Sequence, residues 1–197
     1  MANTAITFYS VVQKKGGVNQ LKELFDIMHK LQCMKSPGLV KNAWGQTWLG
    51  NLVYYLGGDY DAIYCRGKWG GLKLEDDVLC FYAESAWKEC AETRHFLESK
   101  YPQIKLYYYA EEEDSDMFES NDIQHKFYNV RYKVEIGDEI KEFNNAQDLY
   151  DWSSTFFGRD FHSISEIENY AETWMENLER QGVESWLKIR IIKYINN

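Results

Sequence analysis

Two glutamates and three tryptophans are the residues of this chain whose types and spacing could do chemistry. Glu84 and Glu111 close the runs "VLCFYAE" and "IKLYYYAE", which read as neighbouring strands. A carboxylate at each strand end can divide the roles of general acid and general base. In "KNAWGQTWLGNL" (41–52), Trp44 and Trp48 stand four apart among glycine and small polar residues. With Trp87 they could line a cleft, with Asn42, Gln46 and Thr47 supplying the few polar contacts that an apolar pocket needs. Gly45 and Gly50 would let another backbone approach closely. The same spacing has a plainer reading, because Trp44, Trp48, Leu52 and Leu56 recur every fourth residue, as on one helical face ended by Gly57-Gly58. Rings on such a stripe are more often core than site, and Trp44 and Trp48 then clamp an inserted helix onto its domain. The candidate binding cleft is Asn42, Trp44, Gln46, Trp48, Trp87, Glu84 and Glu111; no residue is assigned as catalytic, cofactor-binding or metal-ligating.

Other constellations fall short of the chemistry they suggest. "EEEDSDMFESND" (111–122) holds seven acids and no base. As a calcium loop starting at Glu112 it would put Met117 where the tight turn needs glycine and Ile123 where the last ligand should be glutamate. It reads instead as a solvated connection between domains. Cys90 and His95, five apart, share no helical face and have no evident third ligand. "GKWGG" lacks the strand-to-helix setting of a phosphate cradle, and no G-x-S-x-G or H-E-x-x-H occurs. The four cysteines, Cys33, Cys65, Cys80 and Cys90, form no C-x-x-C and are expected as free, mostly buried thiols. No metal or cofactor is expected.

Composition narrows the class. With 197 residues, 45% of them hydrophobic and 16% aromatic, and a net charge of −9, the chain can bury a substantial core. The acidic balance disfavours direct nucleic-acid binding, where affinity comes from Lys and Arg, and favours a protein partner, a basic one above all. No stretch has the length of a membrane span and the N-terminal residues lack a signal-peptide pattern, so a cytoplasmic location without membrane contact is expected.

The elements that must position these residues follow from periodicity. "TAITFYSVV" (4–12) reads as a strand. Over 18–32, Leu21, Leu24, Phe25, Met28 and Leu31 make one helical stripe. The inserted tryptophan helix follows, then "DAIYCRG" (61–67) as a strand, and then two strand segments joined at Glu75-Asp76-Asp77. A helix is expected over about 85–100, with Trp87, Cys90, Ala91, Phe96 and Leu97 facing inward. A strand follows over 104–112. This β-α-(helix)-β-β-α-β order is that of a ferredoxin-like split βαβ, an α+β fold with an antiparallel sheet and helices on one face. Residues 1–121 make that domain, and 122–197 make a smaller ββααβ module. In the module a hairpin turns at Gly137-Asp138, Asn or Ser residues cap two helices, and "SWLKIRIIKYI" closes as a strand.

Three blocks between residue 42 and about 120 resemble the ferredoxin-like domain of YubB-like, or Api-ninety-two-like, proteins of bacterial plasmids, phages and conjugative elements. Asn42-Ala43-Trp44-Gly45-Gln46-Thr47-Trp48 is similar to the family's Asn-Trp-Gly-Thr-Lys-Trp, with one residue inserted after Asn. Phe81-Tyr82-Ala83-Glu84-Ser85-Ala86-Trp87 is similar to its Phe-x-Phe-x-Thr-Ala-Trp block, although Lys88-Glu89-Cys90 stands where the family has Ser-Pro-Pro. Tyr101-Pro102 through Glu111 is similar to its last strand. The resemblance implies the ferredoxin-like topology and a mobile-element accessory role, and it brings no catalytic residues. The function expected is that of a non-enzymatic accessory protein acting through protein contacts. Alternatives are an acidic nucleic-acid mimic that occupies a basic DNA-binding protein, and a hydrolase or transferase using Glu84 and Glu111.

Overall fold

The computed structural model describes residues 3–14, 19–112, 114, 117–183 and 186–195. The chain is α+β and divides into two units, Met1–Phe127 with Tyr194–Asn197, and Tyr128–Lys193. The division lies at Phe127/Tyr128 rather than after residue 121, and the last residues belong with the first unit.

One sheet is formed by β1 (Thr4–Gln13), β2 (Gly67–Glu75), β3 (Val78–Ala86), β4 (Ile104–Glu112), β5 (Met117–Ser120) and the short β9 (Lys193–Tyr194), in the order β2-β3-β1-β4-β5-β9. β1 runs antiparallel to both β3 and β4, β2 to β3, and β5 to β4. Alternation in β1 sorts its side chains: Ala5, Thr7, Tyr9 and Val11 are buried, while Thr4, Ile6 and Phe8 are exposed, as period two requires of a strand covered on one face. The covering elements are α1 (Gln20–Gln32), α2 (Leu49–Tyr55) and α3 (Ala91–Lys100). α1 starts where the Asn19 side chain accepts the Lys22 N–H, a standard helix cap. It buries Leu21, Leu24, Met28 and Leu31 in the core shared with Val11, Leu52, Leu79, Leu97 and Leu106. Each such leucine contributes about 1.5–3 kcal/mol over remaining exposed.

The structure corrects four local expectations. The tryptophan stripe is not one helix: α2 is confined to Leu49–Tyr55, Trp48 is its N-cap residue, and Trp44 lies in the preceding loop. The buried Asn51 takes over that loop, donating from Nδ2 to the carbonyls of Pro37, Gly45 and Gln46 and accepting the Val40 N–H. These bonds replace the helical ladder. The second helix begins at Ala91, not near 85, because Ser85 and Ala86 still pair with Ala5 and Thr4 of β1. Trp87 turns the chain with φ 71° and is 49% exposed, so it faces no helix interior. Residues 61–66 are turn and loop, held by Ala62 and Ile63 N–H bonds to the Asp59 carbonyl. The strand instead starts at Gly67 and runs through the glycines. There the Tyr82 ring lies over Gly70, whose Cβ would stand 2.5 Å from it, so the glycines admit a cross-strand ring. Finally, the acidic run is ordered structure in its described part. It contributes the end of β4 and all of β5, and buries Glu112 and Asp122. Asp122 accepts the Lys126 and Phe127 N–H groups. Residues 113, 115 and 116 lie outside the described residues.

The second unit has the expected ββααβ order: β6 (Tyr132–Ile136), β7 (Glu139–Phe143), α4 (Ala146–Phe157), α5 (Ile164–Arg180) and β8 (Leu187–Ile191), with sheet order β7-β6-β8. Asn145 and Ser163 cap the helices by accepting the Asp148 and Glu166 N–H groups. Val134, Leu149, Phe161, Ile167 and Ala171 form its core, edged by a chain of rings through Phe157, Tyr170 and Trp174. Among the described residues no helix is long and apolar enough to cross a membrane.

Candidate functional site

The sequence-predicted cleft residues do not converge on one place. Trp44 and Glu84 do share a cavity of about 290 Å3, walled also by Asn3, Thr4, Lys68 and Ser85. Asn42 serves the loop beside it. Its amide donates to the Pro37 and Val40 carbonyls, and its carbonyl oxygen accepts the Trp44 and Gly45 N–H groups, an Asx-type turn. Gln46 meets Asn51 through its backbone carbonyl. Trp48 packs on the core with an edge-on contact to Tyr60, centroids 5.5 Å apart. Its ring covers Gly50, where a Cβ would stand 2.3 Å away. Of the two tryptophans expected to clamp a helix, only Trp48 packs on the core, and it does so by filling the space that a glycine leaves rather than through a helical stripe; Trp44 lines the cavity instead. Trp48, Trp87, Asn42, Gln46 and Glu111 are not among the residues walling this cavity.

Glu84 and Glu111 are not a carboxylate pair. Both lie in register with Ile6 of β1, on opposite sides of it, two strand spacings or about 9–10 Å apart. Each has its own neighbour: Lys68 Nζ stands 2.9 Å from Glu84 Oε2, and the Tyr109 hydroxyl donates to Glu111 Oε2 at 2.9 Å. A proton shared between them is out of reach.

The adjacent row carries a feature that strand periodicity implied but that no sequence motif marked. Tyr82, Phe8 and Tyr109 are in register across β3, β1 and β4, with the Phe8 and Tyr109 rings 6.2 Å apart. Phe8 is 42% exposed, and Ile6 and Tyr82 are exposed beside it. The helix-free side of the central strands thus presents an apolar, aromatic row bordered by the row of Glu84 and Glu111. Single exposed aromatics are ordinary; contiguous ones mark interaction surfaces.

The other side holds a buried polar cluster. Glu89, 5% exposed, accepts from the Tyr9 hydroxyl at 2.7 Å and from Arg94 Nε at 3.1 Å, both on Oε1. The Arg94 guanidinium lies 4.8 Å from the Tyr108 ring centroid, a cation–π distance. Burial and the Glu89 charge together push the Tyr9 hydroxyl well above its usual range, and burial pushes Tyr108 up. Glu89, Arg94 and Tyr108 border a cavity of about 410 Å3 over the start of α3. Sequence reasoning missed this cluster. Glu89 and Arg94, five apart in an expected continuous helix, would point different ways, and Tyr9 is eighty residues distant.

Among the described residues, no group of three or more His, Cys, Asp or Glu is placed to hold a metal ion. All four thiols are free, but only Cys65 and Cys90 are buried; Cys33 and Cys80 are exposed. Burial raises the Cys65 thiol to about 11 and the Cys90 thiol to about 12, so neither is an activated nucleophile at neutral pH. The chain matches no protein-family model, no curated protein and no solved structure.

Proposed function

We propose that this is a non-enzymatic binding protein, a cytoplasmic accessory of a mobile genetic element, that holds a basic protein partner against the open face of its first sheet. The observation that carries this reading is the row Tyr82-Phe8-Tyr109, exposed at Tyr82 and Phe8 and half-buried at Tyr109, bordered by Glu84 and Glu111. An aromatic centre with an acidic border suits a partner that inserts apolar side chains and brings Lys or Arg to the edge. The reading takes the first unit as a ferredoxin-like split βαβ of the YubB-like kind. Support comes from β1 lying between β3 and β4, β2 lying outside β3, and helices following β1 and β3. Burial of Glu112 and Asp122 removes two of the seven carboxylates that a nucleic-acid mimic would display, and the separation of Glu84 from Glu111 weighs against the hydrolase alternative.

The test compares capture by the purified parent and by Phe8→Ser/Tyr82→Ser from the native host. Loss of one stoichiometric partner by the folded variant, with capture weakening as salt rises, supports the reading. Equal capture by both proteins overturns it.

A further inference from the structure

We propose that the cavity over the first turn of α3 is a binding site for a small zwitterion, a free α-amino acid with an apolar or aromatic side chain. Three features of the cavity converge on this ligand. The first is an unmet donor: Arg94 is 2% exposed and forms part of the wall, and its Nη1 has no hydrogen-bond partner among the described residues. Glu89 occupies only Nε, and the planar guanidinium fork matches a carboxylate. A buried cationic donor left unsatisfied is costly; Nη1 itself has no accessible surface, so a ligand oxygen in the cavity would meet the guanidinium at Nη2, which carries no hydrogen bond among the described residues and is not enclosed in that way. The second is the helix end itself. The N-cap residue Cys90 makes no side-chain capping bond, so the first-turn N–H groups beside Ala91 and Glu92 add positive potential where the carboxylate would lie.

The third feature separates a zwitterion from a simple anion. Lys88 and Arg94 bring two positive charges to the cavity, whereas Glu89, Glu92 and Glu119 bring three negative ones. A lone carboxylate or phosphate would enter a cavity already negative in sum; an ammonium group on the same molecule, set toward Glu92 and Glu119, reverses that repulsion. Tyr64, Tyr108, Met117 and Ile195 supply the remaining wall, apolar surface for a side chain, and 410 Å3 lies within the range of small-molecule sites. The site is on the helix-covered side of the sheet, so it does not depend on the protein-docking reading above.

The experiment is isothermal titration and thermal unfolding of the full chain with L-phenylalanine and L-leucine, alongside phenethylamine, which lacks the carboxylate, and 3-phenylpropanoate, which lacks the ammonium. One variant is Ala91→Leu, which fills the cavity while leaving the Tyr9, Glu89 and Arg94 side chains unsubstituted. The other is Lys88→Gln, at an exposed position. The amino acids should bind the parent with at least tenfold higher affinity than either truncated probe, Ala91→Leu should abolish binding while unfolding like the parent, and Lys88→Gln should weaken it. Failure of both amino acids to bind at millimolar concentration overturns the proposal. So does equal binding of the truncated probes, or unchanged binding by Ala91→Leu.

Discussion

The two sides of the central strands β1, β3 and β4 differ in a way that the strands themselves create. Tyr9 and Phe8 are consecutive. Tyr9 points to the helices, stacks on Phe81 with centroids 4.8 Å apart and donates to Glu89, whereas Phe8 points away from them and stays exposed. One side holds a buried polar cluster, Tyr9, Glu89 and Arg94, in which each member's burial depends on its neighbours. The other is a row that is exposed at Tyr82 and Phe8 and anchored at its ends, where Tyr82 covers Gly70 and Tyr109 packs edge-on to Phe118. Alternation thus lets one segment carry a part that folding requires beside a part that folding leaves free.

Breaking the buried cluster should have the largest effect. Arg94→Ala leaves the Glu89 carboxylate buried with only the Tyr9 hydroxyl, and removal of one member of a buried ion pair costs about 3–5 kcal/mol. Denaturant titration should show that loss as a lowered midpoint with an unchanged slope. A loss below about 1 kcal/mol would mean that water in the adjoining cavity solvates Glu89 in place of Arg94.

Asn51→Ala should come next, with a loss of about 2–3 kcal/mol, because the loop carbonyls of Pro37, Gly45 and Gln46 and the Val40 N–H lose their shared partner. The nearby indole of Trp48, which rests on Gly50, should report the loosening as a red-shifted fluorescence emission. An unshifted spectrum with parental stability would show that the loop holds without Asn51.

The buried thiols sharpen the comparison through pH. Cys90 is raised from its ordinary 9.0 to about 12, by burial first and then by the Glu89 charge. The folded state therefore keeps a proton that the unfolded chain releases. Below pH 9 both states are protonated and the contribution is fully present; between pH 9 and 12 stability falls as pH rises. Unfolding midpoints should be flat toward pH 8 and decline above 9, and Cys90→Ala should reduce that slope. At pH 8 a thiol reagent should label Cys33 and Cys80 rapidly, and Cys65 and Cys90 only on unfolding. Rapid labelling of all four would contradict the burial.

The smallest effect on stability is expected on the open side. Phe8→Ser should change it by no more than about 0.5–1 kcal/mol, since surface positions away from caps and buried networks contribute little. A larger loss would show that the row supports the fold and would remove the contrast between the two sides.

How much could be read from sequence follows from how local each determinant is. The α1 stripe, the strand over 104–112, the turn at Asp76-Asp77 and the second unit's helix caps all rest on residues within a few positions of one another, and the structure has them where they were read. The helix that the spacing of Trp44 and Trp48 predicts does not form before Leu49, because fourfold spacing also fits a loop whose geometry comes from a single buried amide, Asn51. The start of α3 was misplaced because Ser85 and Ala86 are claimed by β1, a pairing across some eighty residues that outweighs local helix preference.

The sequence by itself therefore determined the α+β class, the two-unit order and the alternation that assigns Tyr9 and Phe8 to opposite sides, because each depends on short-range periodicity. Only the tertiary structure decided that Tyr9, Glu89 and Arg94 meet, that Glu84 and Glu111 do not, and that a cavity opens over α3. Those outcomes depend on which strands become neighbours and in what register. Long-range pairing is chosen by the burial of the whole core, and no window of the chain contains it.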